Sequence, residues 1–154
     1  MGIKKILKIN ANLPISKEVV ISIIHTTCLV NSKLNDVLKP YGVSLQQFNV
    51  LRILRGQNQN PVTLSTVQER MIAKMSNTTR LVDKLAKKGY VEKKINKDNR
   101  RKIDISITNE GLLFLEEISK LIDSTEKDII SSLTKDEAYN MIRLLDKIRL
   151  IANK

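Results

Sequence analysis

Apolar residues recur at helical spacing over most of this chain. Ser16, just after Pro14, is predicted to begin a helix that runs to about Leu38, where Pro40 and Gly42 break the chain. The apolar residues of this helix occupy more than one side, so it needs more than one partner, and a second subunit is a natural candidate. One stripe holds Val20, Ile23, Ile24, Thr27, Leu34 and Val37, while Val19, Ile21 and Val30 lie off it.

A capping-box pattern marks the start of the second predicted helix. Ser44 is followed three residues later by Gln47, so the two side chains can satisfy each other's backbone N–H groups. After this helix, a polar loop over residues 56–61 leads to Val62–Thr63, which can form only a brief strand. The residues of the second helix that are expected to face the core are Phe48, Leu51 and Leu54.

Two more helices follow in helix-turn-helix order. Thr63 or Ser65 is predicted to cap the first of them, and a turn near residues 72–74 separates it from the second. The second helix ends at Gly89, which suits the left-handed position just beyond a helix. The inward residues are Leu64, Val67 and Met71 in the first helix and Thr78, Leu81, Val82 and Leu85 in the second.

A basic β-hairpin comes directly after these helices. Residues 90–95 and 103–107 alternate between apolar and polar positions, which is the period of a strand. A helix sized for the major groove, followed by such a hairpin, is typical of a winged helix-turn-helix that binds DNA. The tip of the hairpin carries Lys97, Asp98, Asn99, Arg100, Arg101 and Lys102.

Two amphipathic helices complete the predicted fold. Thr108 opens a long one, and Thr134 with Glu137 forms a capping box for the last. Both are surplus to a minimal winged helix, which implies dimerisation. We therefore predict a mainly α, α+β winged-helix domain over residues 1–154. Its DNA-binding lobe is residues 44–111, and its dimerisation helices are residues 15–40 and 112–153. The inward residues of the long helix are Leu115, Ile118, Ile122 and Ile129, and the last helix carries Ala138, Met141, Ile142, Leu145 and Ile148.

The positive charge of the chain is clustered on the second helix of the helix-turn-helix and on the hairpin that follows it. The formal net charge is +11. Residues 80–102 hold ten basic and three acidic side chains, whereas residues 109–154 hold seven basic and nine acidic ones. That asymmetry is expected of a surface that binds a polyanion.

The polar face of the second helix supplies candidate base-reading residues. Arg80 can donate two hydrogen bonds to guanine, Asn77 can pair with adenine, and Ser76 suits either bases or phosphates. Thr79 and Lys84 are better placed for phosphates. At the hairpin tip, an arginine can enter the minor groove, whose negative potential attracts guanidinium groups. The predicted DNA-binding residues are Ser76, Asn77, Thr79, Arg80, Lys84, Lys97, Arg100 and Arg101.

These motifs resemble the MarR family of bacterial transcriptional regulators over nearly the whole chain. The resemblance implies a two-fold dimer that reads a pseudo-palindromic DNA operator, most often to repress transcription. In many members a small phenolic or lipophilic effector binds between dimer and DNA-binding lobes and releases the DNA. The segments that carry the resemblance are 44–54, 79–85, 88–91, 99–101 and 107–111.

The family pattern also assigns roles in the wing. Its minor-groove arginine falls at Arg101, and members support that arginine with an acidic residue. Here Asn99 stands at the aligned position and Asp98 immediately precedes it. Both are therefore candidates for wing support.

Two alternatives to a sequence-specific regulator remain open at this stage. A winged helix can also serve as a protein-interaction module or pack DNA without sequence preference. One branch of the family senses peroxides through a cysteine in the first helix, and Cys28 lies about one turn away from that position. We favour a buried structural thiol for Cys28.

The remaining composition points away from other classes of protein. With one cysteine and one histidine, the chain offers no disulfide framework, metal-ligand set or catalytic triad, and it has no phosphate-binding glycine loop. We thus expect neither a metal nor a cofactor, and no enzymatic activity. The absence of a signal peptide pattern or a long apolar stretch predicts a cytoplasmic protein without a membrane partner.

Overall fold

The computed structural model describes residues 2–152. The ends of the predicted 1–154 domain, and the last residue of the segment 112–153, lie outside that range. The predicted class, mainly α with a small antiparallel sheet, is confirmed. The helices are α1 (Ile3–Ile6), α2 (Ile15–Leu38), α3 (Leu45–Arg55), α4 (Leu64–Arg70), α5 (Thr78–Lys87), α6 (Asn109–Ile129) and α7 (Lys135–Ala152), and the strands are β1 (Val62–Thr63), β2 (Val91–Ile95) and β3 (Ile103–Ile107).

The three strands form one sheet in the order β1–β3–β2, and both pairs are antiparallel. Val62 of β1 pairs with Ile105, and β2 pairs with β3 from Val91–Ile107 to Ile95–Ile103. Strands β2 and β3 are the arms of the predicted hairpin, which we call the wing (residues 91–107). Ile105 and Ile107 are buried, as the alternation predicts, whereas Ile103 on the same face is 43% exposed.

A single hydrophobic core joins the C-terminal end of α2 to α3, α4, α5, the sheet and α6. It fixes α5 and the wing against helices that lie outside the winged helix. The largest fully buried side chains are Leu38, Leu51, Leu54, Met71, Leu85, Ile105, Leu115, Ile118 and Ile122. Burial is thus confirmed for nearly all the inward residues predicted between residues 44 and 122.

The helix starts follow the predicted capping chemistry. Ser44 and Gln47 form a complete capping box, Thr63 caps α4 and Thr108 caps α6. Helix α2 differs slightly, since it begins at Ile15 with Pro14 as N-cap, and Ser16 lies within the first turn. Gly89 follows α5 in the left-handed region at φ +77°, as predicted.

The predicted capping box of α7 is also present. The Glu137 carboxylate accepts hydrogen bonds from the Thr134 backbone N–H at 2.8 Å and its hydroxyl at 2.9 Å. These bonds, the backbone one first, hold the pKa of Glu137 below its usual value. At a pH above the ordinary pKa of glutamate, the ionised Glu137 therefore stabilises the folded start of α7. This stabilisation is lost as the pH falls through the lowered pKa of the folded state.

The apolar faces of α2 and α7 are not covered by the chain's own core. Val20 and Ile24 are 54% and 59% exposed, and only Leu34 and Leu38 of α2 are buried. None of residues 135–150 in α7 is buried, and Met141, Ile142 and Ile148 of its apolar stripe are all exposed or half-exposed. The reason is that α3–α6 and the sheet already fill the core, so these two apolar faces have no surface of the same chain to cover them.

The expected burial of Cys28 is wrong for the same reason. Its thiol is exposed, because Cys28 lies one turn beyond Ile24 on the part of α2 that the core does not cover. Thiol sensing through Cys28 stays a prediction.

No helix within the described residues is long and apolar enough to cross a membrane. Nor do those residues contain a group of three or more His, Cys, Asp or Glu side chains arranged to hold a metal ion.

Candidate nucleic-acid interface

The turn between α4 and α5 is held in place by polar side chains. Gln68 of α4 bridges the turn, donating its side-chain N–H to the Lys74 carbonyl and accepting the hydroxyl of Thr78. Thr78, the first residue of α5, is buried. From outside the motif, Asn49 of α3 accepts the N–H of Ile72 at 3.0 Å. These contacts fix the angle at which α5 leaves the turn.

Asn77 has a structural contact that the sequence did not predict. Its side-chain oxygen accepts the backbone N–H of Arg80 at 3.1 Å, so Asn77 is the N-cap of α5. Bidentate pairing with adenine needs that oxygen and the amide N–H₂ group together. Because the cap fixes the orientation of the side chain and uses one acceptor position of its oxygen, the N–H₂ group is the main contact that Asn77 can offer to a nucleic acid.

The outer face of α5 presents unpaired positive charge. Thr79, Arg80 and Lys84 are exposed, and Ser76 is half-buried just before the helix. Among the described side chains, neither Arg80 nor Lys84 forms an ion pair.

Asp83, the one carboxylate of α5, is already engaged. It pairs with Lys93 of β2 at 2.5 Å. This ion pair ties the base of the wing to α5. It also removes a negative charge that would otherwise repel a polyanion.

The tip of the wing is organised by Asn96. Its side-chain oxygen accepts the backbone N–H groups of Asp98 at 3.0 Å and Asn99 at 2.8 Å. Its amide group donates to both carboxylate oxygens of Asp104 at 3.0 Å. One side chain therefore folds the tip and fastens it to β3. Sequence reasoning missed Asn96, although an asparagine two to three residues before a turn is a recognised signal.

The two candidate supports for Arg101 differ in what they contact. Asn99 accepts the backbone N–H of Arg101 at 3.0 Å through its side-chain oxygen. The Asp98 carboxylate forms no ion pair with any described side chain. Lys97, Arg100 and Arg101 are all exposed, so their charged groups are free to meet a partner.

Replacing Asn96 with aspartate tests this organisation. Asn96→Asp would place a carboxylate against Asp104 and remove the donor that joins them, and like charges at that distance disfavour the folded tip. We expect DNA affinity to fall about five- to thirtyfold, from a loss of about 1–2 kcal/mol, while the melting temperature changes little. Titration of duplex DNA followed by fluorescence anisotropy measures this effect.

Asn140→Asp, which adds the same charge at an exposed position of α7, is the control. Equal losses of affinity in the two variants would mean that net charge, not the order of the tip, is responsible.

The end of α5 is connected to α6 through an aromatic stack. The rings of Tyr90 and Phe114 lie parallel with centroids 4.3 Å apart, and Tyr41 meets Phe114 edge-on at 6.2 Å. Thr108 donates its hydroxyl to the Gly89 carbonyl at 2.6 Å. These contacts join the N-terminal part of α6 to the segment between α5 and the wing.

A cavity of about 370 Å³ lies between the long helices and the helix-turn-helix. Its walls come from α2, α3, α6 and the α4–α5 turn, so a molecule bound there would contact all four. Phe48 and Leu34 supply apolar surface, and the Arg52 guanidinium lies 5.9 Å from the centre of the Phe48 ring. Asn31, Asn49 and Glu126 add polar groups.

Comparison with known proteins identifies the family. The sequence model of the MarR family matches residues 43–103. The HTH-type transcriptional regulator TcaR of Staphylococcus aureus (strain Newman) is 30% identical over 127 residues, which are 80% of this chain and 82% of that protein. This chain belongs to the MarR family. The multiple antibiotic resistance protein MarR of Escherichia coli is 29% identical over 126 residues, covering 78% of this chain and 85% of that protein.

Solved structures of proteins with lower sequence identity share the fold. A variant of Escherichia coli MarR in complex with operator DNA superimposes with a TM-score of 0.77 at 24% identity, over 90% of this chain and 99% of that one. Bordetella bronchiseptica BpsR, whose DNA binding is regulated by 6-hydroxynicotinic acid, gives a TM-score of 0.78 at 17% identity, over 90% and 98%.

Proposed function

We propose that this MarR-family protein binds a specific duplex DNA sequence as a homodimer and represses transcription. The observation that carries the proposal is helix α5, whose exposed cations form no ion pair with any described side chain, next to a wing with a structured basic tip. Operator binding by the MarR relative with the same fold supports it. The DNA-binding lobe is residues 44–111.

We assign α5 to the major groove and the wing to the adjacent minor groove. Arg80 reads a guanine and Ser76 a neighbouring base or phosphate, while Arg101 enters the minor groove. Asn77 acts mainly as the helix cap, with its N–H₂ group left to donate to a base or phosphate. Thr79, Lys84, Lys97 and Arg100 hold the phosphate backbone, and Asn99 supports Arg101 through its backbone rather than through a charge.

The proposed dimer rests on two apolar faces that the chain leaves uncovered. Most of the stability of a helix in a protein comes from the packing of its apolar face, so the exposed apolar stripe of α7 requires a partner surface. Helix α2 presents a second such stripe around Val20 and Ile24. A second copy of the chain covers both in our proposal, through residues 15–40 and 112–153.

Selection of bound sequences from a random duplex library at near-physiological salt tests the function. We expect an enriched inverted repeat with half-sites about one helical turn apart, because a two-fold dimer presents two copies of α5 at that spacing. Binding without enrichment would contradict sequence-specific regulation and favour DNA packing. No binding would favour a protein-interaction module.

Two substitutions on α5 separate base reading from phosphate binding. We expect Arg80→Ala to weaken operator binding by about 1–3 kcal/mol and to relax the base preference at one position of each half-site. Lys84→Ala should weaken binding to all sequences alike. It should also reduce the slope of the logarithm of the affinity against the logarithm of the salt concentration by about one. Affinities for the operator and for a scrambled duplex, measured over a range of salt concentrations, check both. Equal losses of specificity would contradict the assignment.

We further propose that an effector binds in the 370 Å³ cavity. The cavity joins α2 and α6, which belong to the proposed dimer, to the α4–α5 turn of the lobe. A ligand there would release the DNA if it bound more tightly to a dimer whose two lobes are spaced wrongly for the operator than to the dimer that binds DNA. Its apolar wall beside Arg52 suits a small phenolic or lipophilic anion, and the relative BpsR responds to a hydroxylated aromatic acid.

A cavity-filling substitution tests the effector site. Ala73, in the cavity wall, is exposed, so Ala73→Met should fill space without disturbing the core. We expect hydroxybenzoate to raise the melting temperature of the unaltered protein and release its operator, and to do neither in Ala73→Met. Release that persists in the variant would place the effector elsewhere.

A further inference from the structure

The α4–α5 turn holds two large apolar side chains in solvent. Met75 is 99% exposed and Ile72 is 84% exposed, which makes them the most exposed large hydrophobic residues of the chain among those described. Their turn is not loose, since Gln68 and Asn49 fasten its backbone and Met71 anchors its first residue in the core. The fold therefore holds these apolar groups in water rather than letting them collapse onto the protein.

Met75 lies at the edge of the proposed DNA-binding surface. Met75 lies two residues before Asn77, the N-cap of α5. In a helix-turn-helix, the N-terminal end of the helix that enters the major groove is the part that approaches the base edges. Lys74 beside it and Arg80 one turn along are both positively charged and free of ion pairs among the described side chains. The partner that docks on this surface is therefore a polyanion, and an apolar protein surface fits it poorly.

One apolar group stands out in the major groove of such a partner. The C5-methyl of thymine is the only aliphatic carbon that base edges present there, and an apolar side chain can distinguish thymine by covering it. Methionine suits this role because its flexible, polarisable thioether adapts to the methyl without an exact fit.

We propose that Met75 reads a thymine in each half-site by contact with its C5-methyl group. This inference rests on the proposed function and deepens it. It assigns a specificity contact outside α5, in the turn before the helix. Ile72 does not share the role, because it lies at the opposite end of the turn, where it lines the cavity and its N–H is held by Asn49.

Deoxyuridine, which is thymidine without the methyl group, provides the test. Each thymine of the selected operator is replaced by deoxyuridine in turn, and the dissociation constant of the full-length protein is measured. Removing one buried methyl should weaken binding about fourfold, and removing the symmetric pair about fifteenfold. We expect this loss at one thymine per half-site.

Three variants connect the loss to Met75. Met75→Ala should bind the unaltered operator as weakly as the unaltered protein binds the deoxyuridine operator, and should no longer distinguish the two. Met75→Leu should retain the discrimination, and Ile72→Ala, the matched control in the same turn, should retain it in full. Since both side chains are exposed, none of the variants should unfold.

The outcomes distinguish a failure of the thymine contact from a failure of the proposed function. If the protein enriches no duplex sequence, the proposed function fails and the contact fails with it. If it binds an operator whose affinity no deoxyuridine alters, or if Met75→Ala still discriminates, the thymine contact is overturned while sequence-specific DNA binding stands.

Discussion

Gly111→Ala should destabilise this protein by roughly 3 kcal/mol or more, despite the higher helix propensity of alanine. Gly111 lies in the first turn of α6, where its N–H donates to Thr108. A Cβ atom there would lie 2.2 Å from the Tyr90 carbonyl oxygen and 2.9 Å from a side-chain carbon of Ile107. The Ile107 side chain can move, but the Tyr90 backbone is held by its bond to the Thr108 N–H at 3.1 Å.

The only relief is for α6 to move away from the segment that follows α5. That movement would disturb the Tyr90–Phe114 stack and the core around Leu115. Urea unfolding followed by circular dichroism, at a fixed protein concentration, measures the loss. For a chain of this size it corresponds to a fall of about 6–12 °C in melting temperature.

Gly56→Ala is the matched control. Gly56 follows α3 with φ −64°, and its added Cβ would make only ordinary contacts, the nearest at 3.4 Å. We expect it to leave stability unchanged or to raise it by about 0.4–1 kcal/mol, because alanine restricts the unfolded chain. If Gly111→Ala were as stable as Gly56→Ala, the close approach of α6 to Tyr90 would be wrong.

Ile142→Asp should convert the proposed dimer into monomers. Ile142 lies on the apolar stripe of α7 and is 52% exposed in the single chain, so the substitution costs the protomer little. In a two-fold dimer the same change enters the interface twice. An unpaired charge buried there costs about 3–5 kcal/mol, which raises the dimer dissociation constant at least a hundredfold.

Sedimentation velocity across a concentration series measures the dissociation constant, and operator titration measures the consequence. A monomer contacts one half-site, so operator affinity should fall together with dimerisation while the lobe stays folded. Asn140→Asp adds the same charge on the polar side of α7, where Asn140 already accepts a bond from Arg143 at 2.7 Å, and should change neither quantity. A dimer that survives Ile142→Asp would place the interface elsewhere.

The elements of this protein could be predicted because their signals are local. Ser44 with Gln47 and Thr134 with Glu137 fix helix starts through contacts three residues apart, and Gly89 ends α5 by its own backbone preference. The alternation of Ile103, Ile105 and Ile107 likewise defines a strand within five residues. For the same reason, the exposed basic face of α5 and the wing was predictable from helical and strand periods alone.

The order of the elements, the winged-helix class and the clustering of positive charge therefore follow from local patterns along the chain. Which apolar stripes the chain covers with its own core depends on how the helices pack, and the packing leaves the stripes of α2 and α7 exposed together with Cys28. The fold also determines that the Asn77 side chain caps α5, that Asn96 organises the wing tip and that Gln68 bridges the α4–α5 turn. It likewise places Gly111 against the Tyr90 backbone. The periodicity of the sequence predicts the face of a helix or strand on which a residue lies. Its burial, its close contacts and its polar partners depend on segments that meet only after the chain has folded.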